Sequence, residues 1–599
     1  MTLRNTPCSD FRSYSPRTLK KSSLVLLLLL VLLSAGEAFG AQTVRKDAFI
    51  AQLFQARGFA APSGEKDLVR AALELDVIPV PEGRLDAPIT MKEAIVFAVH
   101  SLGLASVADV LSGAPLPFRD VGSLKSLERG YLAAALNMNP PLLKKNVTSF
   151  GPAKKVTPKE AQNIAAIVRA ARKGLSLSAK YSPVKGMTVQ VHREGLQDRP
   201  PKWRAAANGF ESREEAELFR DALAGKGVEG TVDSQNYDWR VRSALSDTYG
   251  PIREFLAACE SLGRKGVVFP SPVSWDTPGA PRFWIMVILD PARFDIRPVF
   301  APEGLYTLAP LSSMTTGAMA AVNGGYFSIS GKERGAPIGA IIERGVMVNP
   351  PYKGRTILGW NGKNQAAFGQ MEWRAEVHFP GGGFMDVTGL NRTVRGDGVV
   401  IFTRHFGECT PPFSGPVVEV VLDGDICVEV RREGGNPIPP GKRVLAVYGT
   451  PARFAESIVP GDRIRIAQTV NDGDPYWTSM TNAIQGGPFL VRKGILSMET
   501  ENLNDSIVNK RHPRSVIGLT EKGQWFFFVG DGRNAVHSVG FTLAETAEIL
   551  KKNGVSYALN LDGGGSSTLF AGGRIMNVLS DGRERPVSYG VGAFPKGGN

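Results

Sequence analysis

Ala558-Leu559-Asn560-Leu561-Asp562-Gly563-Gly564-Gly565-Ser566-Ser567-Thr568-Leu569 is the stretch on which the reading of this chain turns. A short apolar run leads to one aspartate. Three glycines then clear the space beside it, permitting positive φ and close approach of another group to the backbone. Two serines and a threonine follow, with hydroxyls that donate or accept. An acid at a strand end, followed by a turn rich in amides, suits chemistry on an anionic or sugar-like ligand. Taken alone, the same residues read as a tight turn between two strands, with Asp562 as a turn former. The rest of the chain has to choose between the two.

Four further stretches in the same region bound strands with amides, glycines or charges, three at a strand's end and the Arg511 stretch directly before one. They are Ala321-Val322-Asn323-Gly324-Gly325-Tyr326-Phe327, Gln485-Gly486-Gly487-Pro488-Phe489-Leu490, Arg511-His512-Pro513-Arg514-Ser515-Val516-Ile517-Gly518 and Val529-Gly530-Asp531-Gly532-Arg533. Thr542-Leu543-Ala544-Glu545 is a capping box that opens a helix running to Lys552, just before the Asp562 stretch. β-branched or aromatic runs at Phe283–Leu289, Val399–Phe402, Val417–Leu422 and Trp525–Val529 read as strands. Together these motifs, in this order and with the closing Asn577 to Arg585-Pro586-Val587, resemble the phosphodiester glycosidase family over about residues 285–595. Two positions depart from the family pattern: Ser515 stands where threonine is usual, and Ile484-Gln485 precedes the Gly-Gly-Pro turn. The resemblance implies hydrolysis of the bond between a sugar anomeric carbon and a phosphodiester, releasing free sugar and a phosphomonoester.

That chemistry needs charge stabilisation on the leaving phosphate and support for an oxocarbenium-like centre. Arg514 is the expected phosphate ligand, because a guanidinium fork matches two phosphate oxygens. Arg533 or His512 assists it. Asp562 is the first choice for nucleophile or base, and Asp531 for a second carboxylate. Asn323, Gly324, Gln485 and Gly486 are expected against sugar hydroxyls, and the amides of Gly563, Gly564, Gly565 and Ser566 form an anion nest. Each has a plainer alternative: Asp531 as a turn former, His512 on a backbone carbonyl, Asn323 in an Asx turn. Glu545 reads as the capping-box glutamate. A divalent cation such as calcium is compatible with these oxygens, although no linear ligand loop is present.

The start of the chain reads as an address. Arg4, Arg12, Arg17, Lys20 and Lys21 precede an unbroken apolar run from Leu24 to Leu33, and Ala38-Phe39-Gly40 supplies small residues for cleavage after Gly40. Removing residues 1–40 lowers the formal net charge from +13 to +10. A basic exported chain suits anionic envelope partners. Nucleic acid is not expected, nor is a transmembrane span once the signal is cut. Cys259, Cys409 and Cys427 remain, without metal-ligand spacing; whether Cys409 and Cys427 pair is open.

Between about Val44 and Leu175, Val44-Arg45-Lys46-Asp47-Ala48, Thr90-Met91-Lys92-Glu93-Ala94 and Thr157-Pro158-Lys159-Glu160-Ala161 each open an amphipathic helix. With Phe118-Arg119-Asp120 and Tyr131-Leu132-Ala133-Ala134-Ala135, this region resembles S-layer homology repeats, which implies docking to peptidoglycan or a secondary wall polymer. A plain helical spacer is the alternative. Further on, Phe210-Glu211-Ser212-Arg213-Glu214-Glu215-Ala216, between expected strands at Trp203–Ala207 and Trp239–Ala244, resembles the SPOR domain, a binder of peptidoglycan glycan strands. The expected organisation is multidomain: a signal over 1–40, all-α N-terminal repeats over 41–180, a small α+β module over 186–270, and a mixed α/β, strand-rich catalytic domain over 282–599. Two other functions stay open on sequence: a non-catalytic envelope scaffold, and a phosphodiesterase that attacks phosphorus.

Overall fold

The computed structural model describes residues 43–597 apart from 60–64, 198–201, 236–237, 272–274, 364 and 498. The expected export signal lies outside the described residues. Among them, no helix is long and apolar enough to cross a membrane.

The all-α N-terminal repeat region has to be corrected. The chain is strand-rich, with 32% strand and 23% helix, and its sheets are mainly antiparallel. Helices do form at Lys46–Ala56, Met91–Ser101, Ser126–Asn137 and Pro158–Ala171. Thr90 and Thr157 cap two of them, with Glu93 and Glu160 closing both capping boxes. These helices are not a separate all-helical unit. Met187–Glu194 follows as a strand and pairs antiparallel with Arg282–Leu289, within a nine-stranded sheet that continues into the C-terminal region. One apolar core joins Phe49, Leu53, Ile95 and Leu132 of the helices to Val189, Ile285, Ile517 and Phe527 of the sheet. Helical periodicity gives each stripe its apolar face but not the identity of what covers it, and here a sheet contributes to the cover.

Residues 202–271 form a four-stranded antiparallel sheet with helices Arg213–Ala224 and Gly250–Ser261, around Trp203, Phe210, Phe255 and Cys259. The strands expected at Trp203–Ala207 and Trp239–Ala244 form as Lys202–Phe210 and Asp238–Arg242, and an additional strand, Thr231–Gln235, pairs antiparallel with the second. Residues 373–470 add two further sheets whose core includes Val418, Leu445 and Val447. Cys259, Cys409 and Cys427 are all free, so Cys409 and Cys427 do not pair.

Five strands position the site: β1 (Ala320–Asn323), β2 (Asn482–Gln485), β3 (Arg514–Thr520), β4 (Trp525–Gly530) and β5 (Val555–Asn560). In the large sheet β3 lies between β4 and β5. Arg514 pairs with Gly530 and Val516 with Asn560. The start of β3 and the ends of β4 and β5 therefore meet at one sheet edge. Asp531 and Asp562, just past β4 and β5, leave the sheet from that edge. β1 crosses to a second, five-stranded sheet between Leu569–Ala571 and Tyr589–Pro595. Helix Leu543–Lys552, capped by Thr542 and Glu545, precedes β5.

Candidate active site

The amides expected against sugar hydroxyls are spent inside the protein. Asn323 is fully buried. Its Nδ2 donates to the Asp562 carbonyl at 2.8 Å, and its Oδ1 accepts from Ser515 Oγ at 2.7 Å and from the Thr568 amide at 3.1 Å. One side chain thus ties the ends of β1 and β5 to β3 and to the hydroxyl-rich turn. Gln485 does the same for another loop: Oε1 accepts from the amides of Ala340 and Tyr352, and Nε2 donates to the carbonyls of Tyr352 and Arg355. Gly324 and Gly486 are needed for space, because a Cβ would run into the Tyr589 ring and the Asn560 carbonyl respectively.

Asp562 is held where these strand ends converge. Its amide donates to the Gly324 carbonyl at 3.2 Å, and its Oδ1 accepts from the Gly563 amide at 3.0 Å. It keeps part of its surface open while protein surrounds the carboxylate. Burial pushes its pKa up; Ser566, Arg585, the Gly563 amide and Arg533 work against that rise. The Ser566 hydroxyl itself is buried with no hydrogen bond of ordinary geometry. The glycine run exists to seat two guanidinium groups. A Cβ on Gly564 would stand 2.9 Å from Arg533 Nη2, and one on Gly565 would overlap Arg585 and Asp581. Arg533 has φ +62°, an uncommon conformation for a residue with a Cβ. Arg585 Nη2 donates to Asp581 Oδ2 at 2.6 Å, and Arg533 Nη1 lies 3.8 Å from Asp581 Oδ1.

The turn amides are largely used locally. Gly563 donates to Asp562 itself, Gly564 to the Pro513 carbonyl at 3.0 Å, and Ser566 to the Gly563 carbonyl at 3.3 Å. Positive charge beside Asp562 therefore comes mainly from Arg533 and Arg585.

Arg514, the expected phosphate ligand, is buried. Its Nε donates to the Phe541 carbonyl at 2.8 Å and its Nη2 to the carbonyls of Ile507 and Lys510 at 2.7 and 2.8 Å. Burial pushes its pKa down to about 10. His512 Nε2 lies 2.9 Å from the Ser506 carbonyl, and burial with nearby cations lowers its pKa to about 4, so it is neutral at pH 7. Asp531 is buried behind the site: Oδ2 accepts from the Val578 amide and lies 2.8 Å from His537 Nε2. It anchors the start of the loop that carries Asp581 and Arg585. Glu545 closes its capping box and also takes both ends of the Arg511 fork, at 2.6 and 2.8 Å.

Three neighbours of Asp562 were not singled out from sequence. Tyr326 Oη donates to the Gly487 carbonyl at 2.9 Å, and its ring carries Arg355 at 4.7 Å from the centroid. Burial and the nearby Asp562 carboxylate raise its pKa. Asp581 and Arg585 are the other two. Tyr326 and Arg585 both sit in motifs visible in the sequence, but nothing local separates them from structural residues. Among the described residues, no group of three or more His, Cys, Asp or Glu is arranged to hold a metal ion.

Residues 416–594 match the family model described as phosphodiester glycosidase. The human N-acetylglucosamine-1-phosphodiester alpha-N-acetylglucosaminidase is 42% identical over 74 residues, 12% of this chain and 14% of that one. The bovine protein of the same name is 38% identical over 161 residues, 24% of this chain and 30% of that one. The chain thus spans less than a third of the curated relatives it matches. A protein from Burkholderia pseudomallei K96243, described as a candidate exported protein, shares the fold with a TM-score of 0.51 at 18% identity, covering 70% of this chain and 96% of that one. The segment that bears Arg514, Asp531, Arg533, Asp562 and Arg585 is therefore the segment similar to phosphodiester glycosidases.

Proposed function

We propose that this chain is a hydrolase that cleaves sugar–phosphodiester linkages on the sugar side, between the anomeric carbon and the phosphate oxygen. The observation that carries the reading is Asp562, a residue that keeps part of its surface open, whose carboxylate is raised in pKa by burial, and whose following glycines, Gly564 and Gly565, seat Arg533 and Arg585 in the segment similar to phosphodiester glycosidases. Water attacks the anomeric carbon and Asp562 takes its proton. The carbon–oxygen bond to phosphate breaks, and the phosphomonoester leaves with the electron pair. Arg533 and Arg585 offset the charge that develops on it. Asp581 holds Arg585 at 2.6 Å. Asn323, Gln485, Arg514 and Asp531 fix the strand ends rather than touching substrate. The substrates proposed are sugar-phosphodiester units of wall polymers or exopolysaccharide. Export is part of the same proposal, supported by the basic-then-apolar start of the chain and by the candidate exported protein of the same fold.

The full chain is the right material to assay, because the strand Met187–Glu194 pairs into the sheet that carries β3, β4 and β5. Incubation with a sugar-1-phosphodiester is expected to release free sugar and a phosphomonoester, and Asp562→Asn to abolish the release. Full activity in Asp562→Asn would remove the assignment. Binding without turnover in the wild type would favour a scaffold instead.

A further inference from the structure

The α+β module of residues 202–271 is packed against the loop that carries Asp581 and Arg585. Asn208 Nδ2 donates to the Asp581 carbonyl at 2.9 Å, and Gly582 lies so close to Val267 that a Cβ would not fit. Where the two parts meet, a cavity of about 80 Å³ is lined by Asn208, Arg240 and Phe269 from the module and by Arg533, Asp581 and Arg585 from the C-terminal region. Arg533 and Arg585 are the two guanidinium groups seated against Gly564 and Gly565, in the turn that follows Asp562. The cavity therefore adjoins the turn that follows Asp562, and one of its walls belongs to a different part of the fold.

Its charge is unbalanced toward positive. Three guanidinium groups face it and one carboxylate, Asp581, answers them. Arg240 also bonds Asp233 through Nε at 2.6 Å, and Asp233 pairs with Arg242 as well. Two polar atoms at the cavity are buried without a hydrogen-bond partner: Arg533 Nη1 and Asn208 Oδ1. An unmet buried donor beside an unmet acceptor fits a ligand that brings both, such as a phosphate with a neighbouring hydroxyl. By the roughly 10–15 Å³ that one water requires, the volume leaves room for a polar group larger than a single water.

We propose that this junction cavity seats the phosphate of the departing half of the substrate, and that Arg240 of the α+β module is its third cationic ligand and a specificity-determining residue. The proposal rests on the hydrolase reading for its substrate, but not for its binding chemistry. It makes the α+β module a wall of the active site, so that the leaving half is read by two parts of the fold at once.

The test uses the full chain and inorganic phosphate as probe, with calorimetry on the wild type, Arg240→Gln and Asp233→Asn. Loss of one charge-assisted contact predicts phosphate affinity lower by about tenfold or more in Arg240→Gln. Asp233→Asn, which removes the partner of Arg240 but keeps the guanidinium, is expected to retain phosphate binding. That variant separates a ligand role from a merely structural ion pair. With a sugar-1-phosphodiester, Arg240→Gln is expected to raise KM about tenfold while kcat stays within about twofold. Equal phosphate affinity in wild type and Arg240→Gln, or no phosphate binding by the wild type, would overturn the proposal. The two readings fail separately. Phosphate affinity that depends on Arg240 without turnover on any sugar phosphodiester keeps the subsite and removes the hydrolase; turnover and phosphate affinity both indifferent to Arg240 do the reverse.

Discussion

Asn323→Ala is the substitution that best separates a structural role from a ligand-binding one at the heart of the site. Asn323 is fully buried, and its amide serves three groups from separate segments: the Asp562 carbonyl, the Ser515 hydroxyl and the Thr568 amide. Alanine leaves one acceptor and two donors without partners in a place closed to solvent. Each such group costs on the order of 1–3 kcal/mol, so the expected loss is about 3–5 kcal/mol, allowing one of the three to find a new partner. Urea unfolding followed by tryptophan fluorescence measures the shift directly. Because the Asp562 carbonyl is among the freed groups, any folded fraction should also lose kcat, with KM affected little. A variant within about 0.5 kcal/mol of wild-type stability whose KM rises sharply would refute this reasoning and return Asn323 to the substrate.

Asp562→Asn should be inactive yet more stable than wild type at pH 7. Burial raises the Asp562 pKa, so the folded state is penalised as pH rises through that value, and the gain from Asn should vanish below about pH 4, where the unfolded carboxyl is also protonated; equal stability at pH 7 would contradict the burial. In the wild type the acid limb of kcat/KM should lie above the ordinary aspartate range for the same reason, and a midpoint at or below about pH 4 would exclude Asp562 as the base. His512, lowered to about 4, gives stability that is present above its unfolded pKa and lost as pH falls toward 4; proton NMR should show it titrating near that value, and a midpoint close to 6.5 would contradict the packing. Gly565→Ala should displace the Arg585–Asp581 pair and cut kcat/KM by at least tenfold; activity within twofold of wild type would show that the pair does not need its seat. Glu545→Ala loses both the helix cap and the Arg511 fork, and should cost about 2–4 kcal/mol in urea unfolding.

Local features of the fold were legible because their causes are local. Thr90, Thr157 and Thr542 cap the helices that their spacing to Glu93, Glu160 and Glu545 announces. What a helix packs against is not local. The pairing of Met187–Glu194 with Arg282–Leu289 joins segments separated by the whole α+β module, and no periodicity in either reports the other. That is why the N-terminal helices read as an independent repeat region and turn out to share a core with the sheet. At the site, Asp562 stands out because three glycines follow it. Asn323 and Gln485 bridge backbone instead of facing a ligand for one reason: an amide that can bind a sugar hydroxyl can equally join backbone from two loops. Arg514 shows the same ambiguity, since the fork that matches phosphate also matches a set of carbonyls. Arg585 could be placed only in three dimensions, because it lies in the space above Gly565 and is held there by Asp581.

The most direct measurement is hydrolysis of a sugar-1-phosphodiester by the full chain in ¹⁸O-labelled water, with both products analysed by mass spectrometry. The account predicts label on the anomeric carbon of the free sugar, none in the phosphomonoester, and neither product from Asp562→Asn. Label in the phosphomonoester would mean attack on phosphorus and would contradict the role given to Asp562.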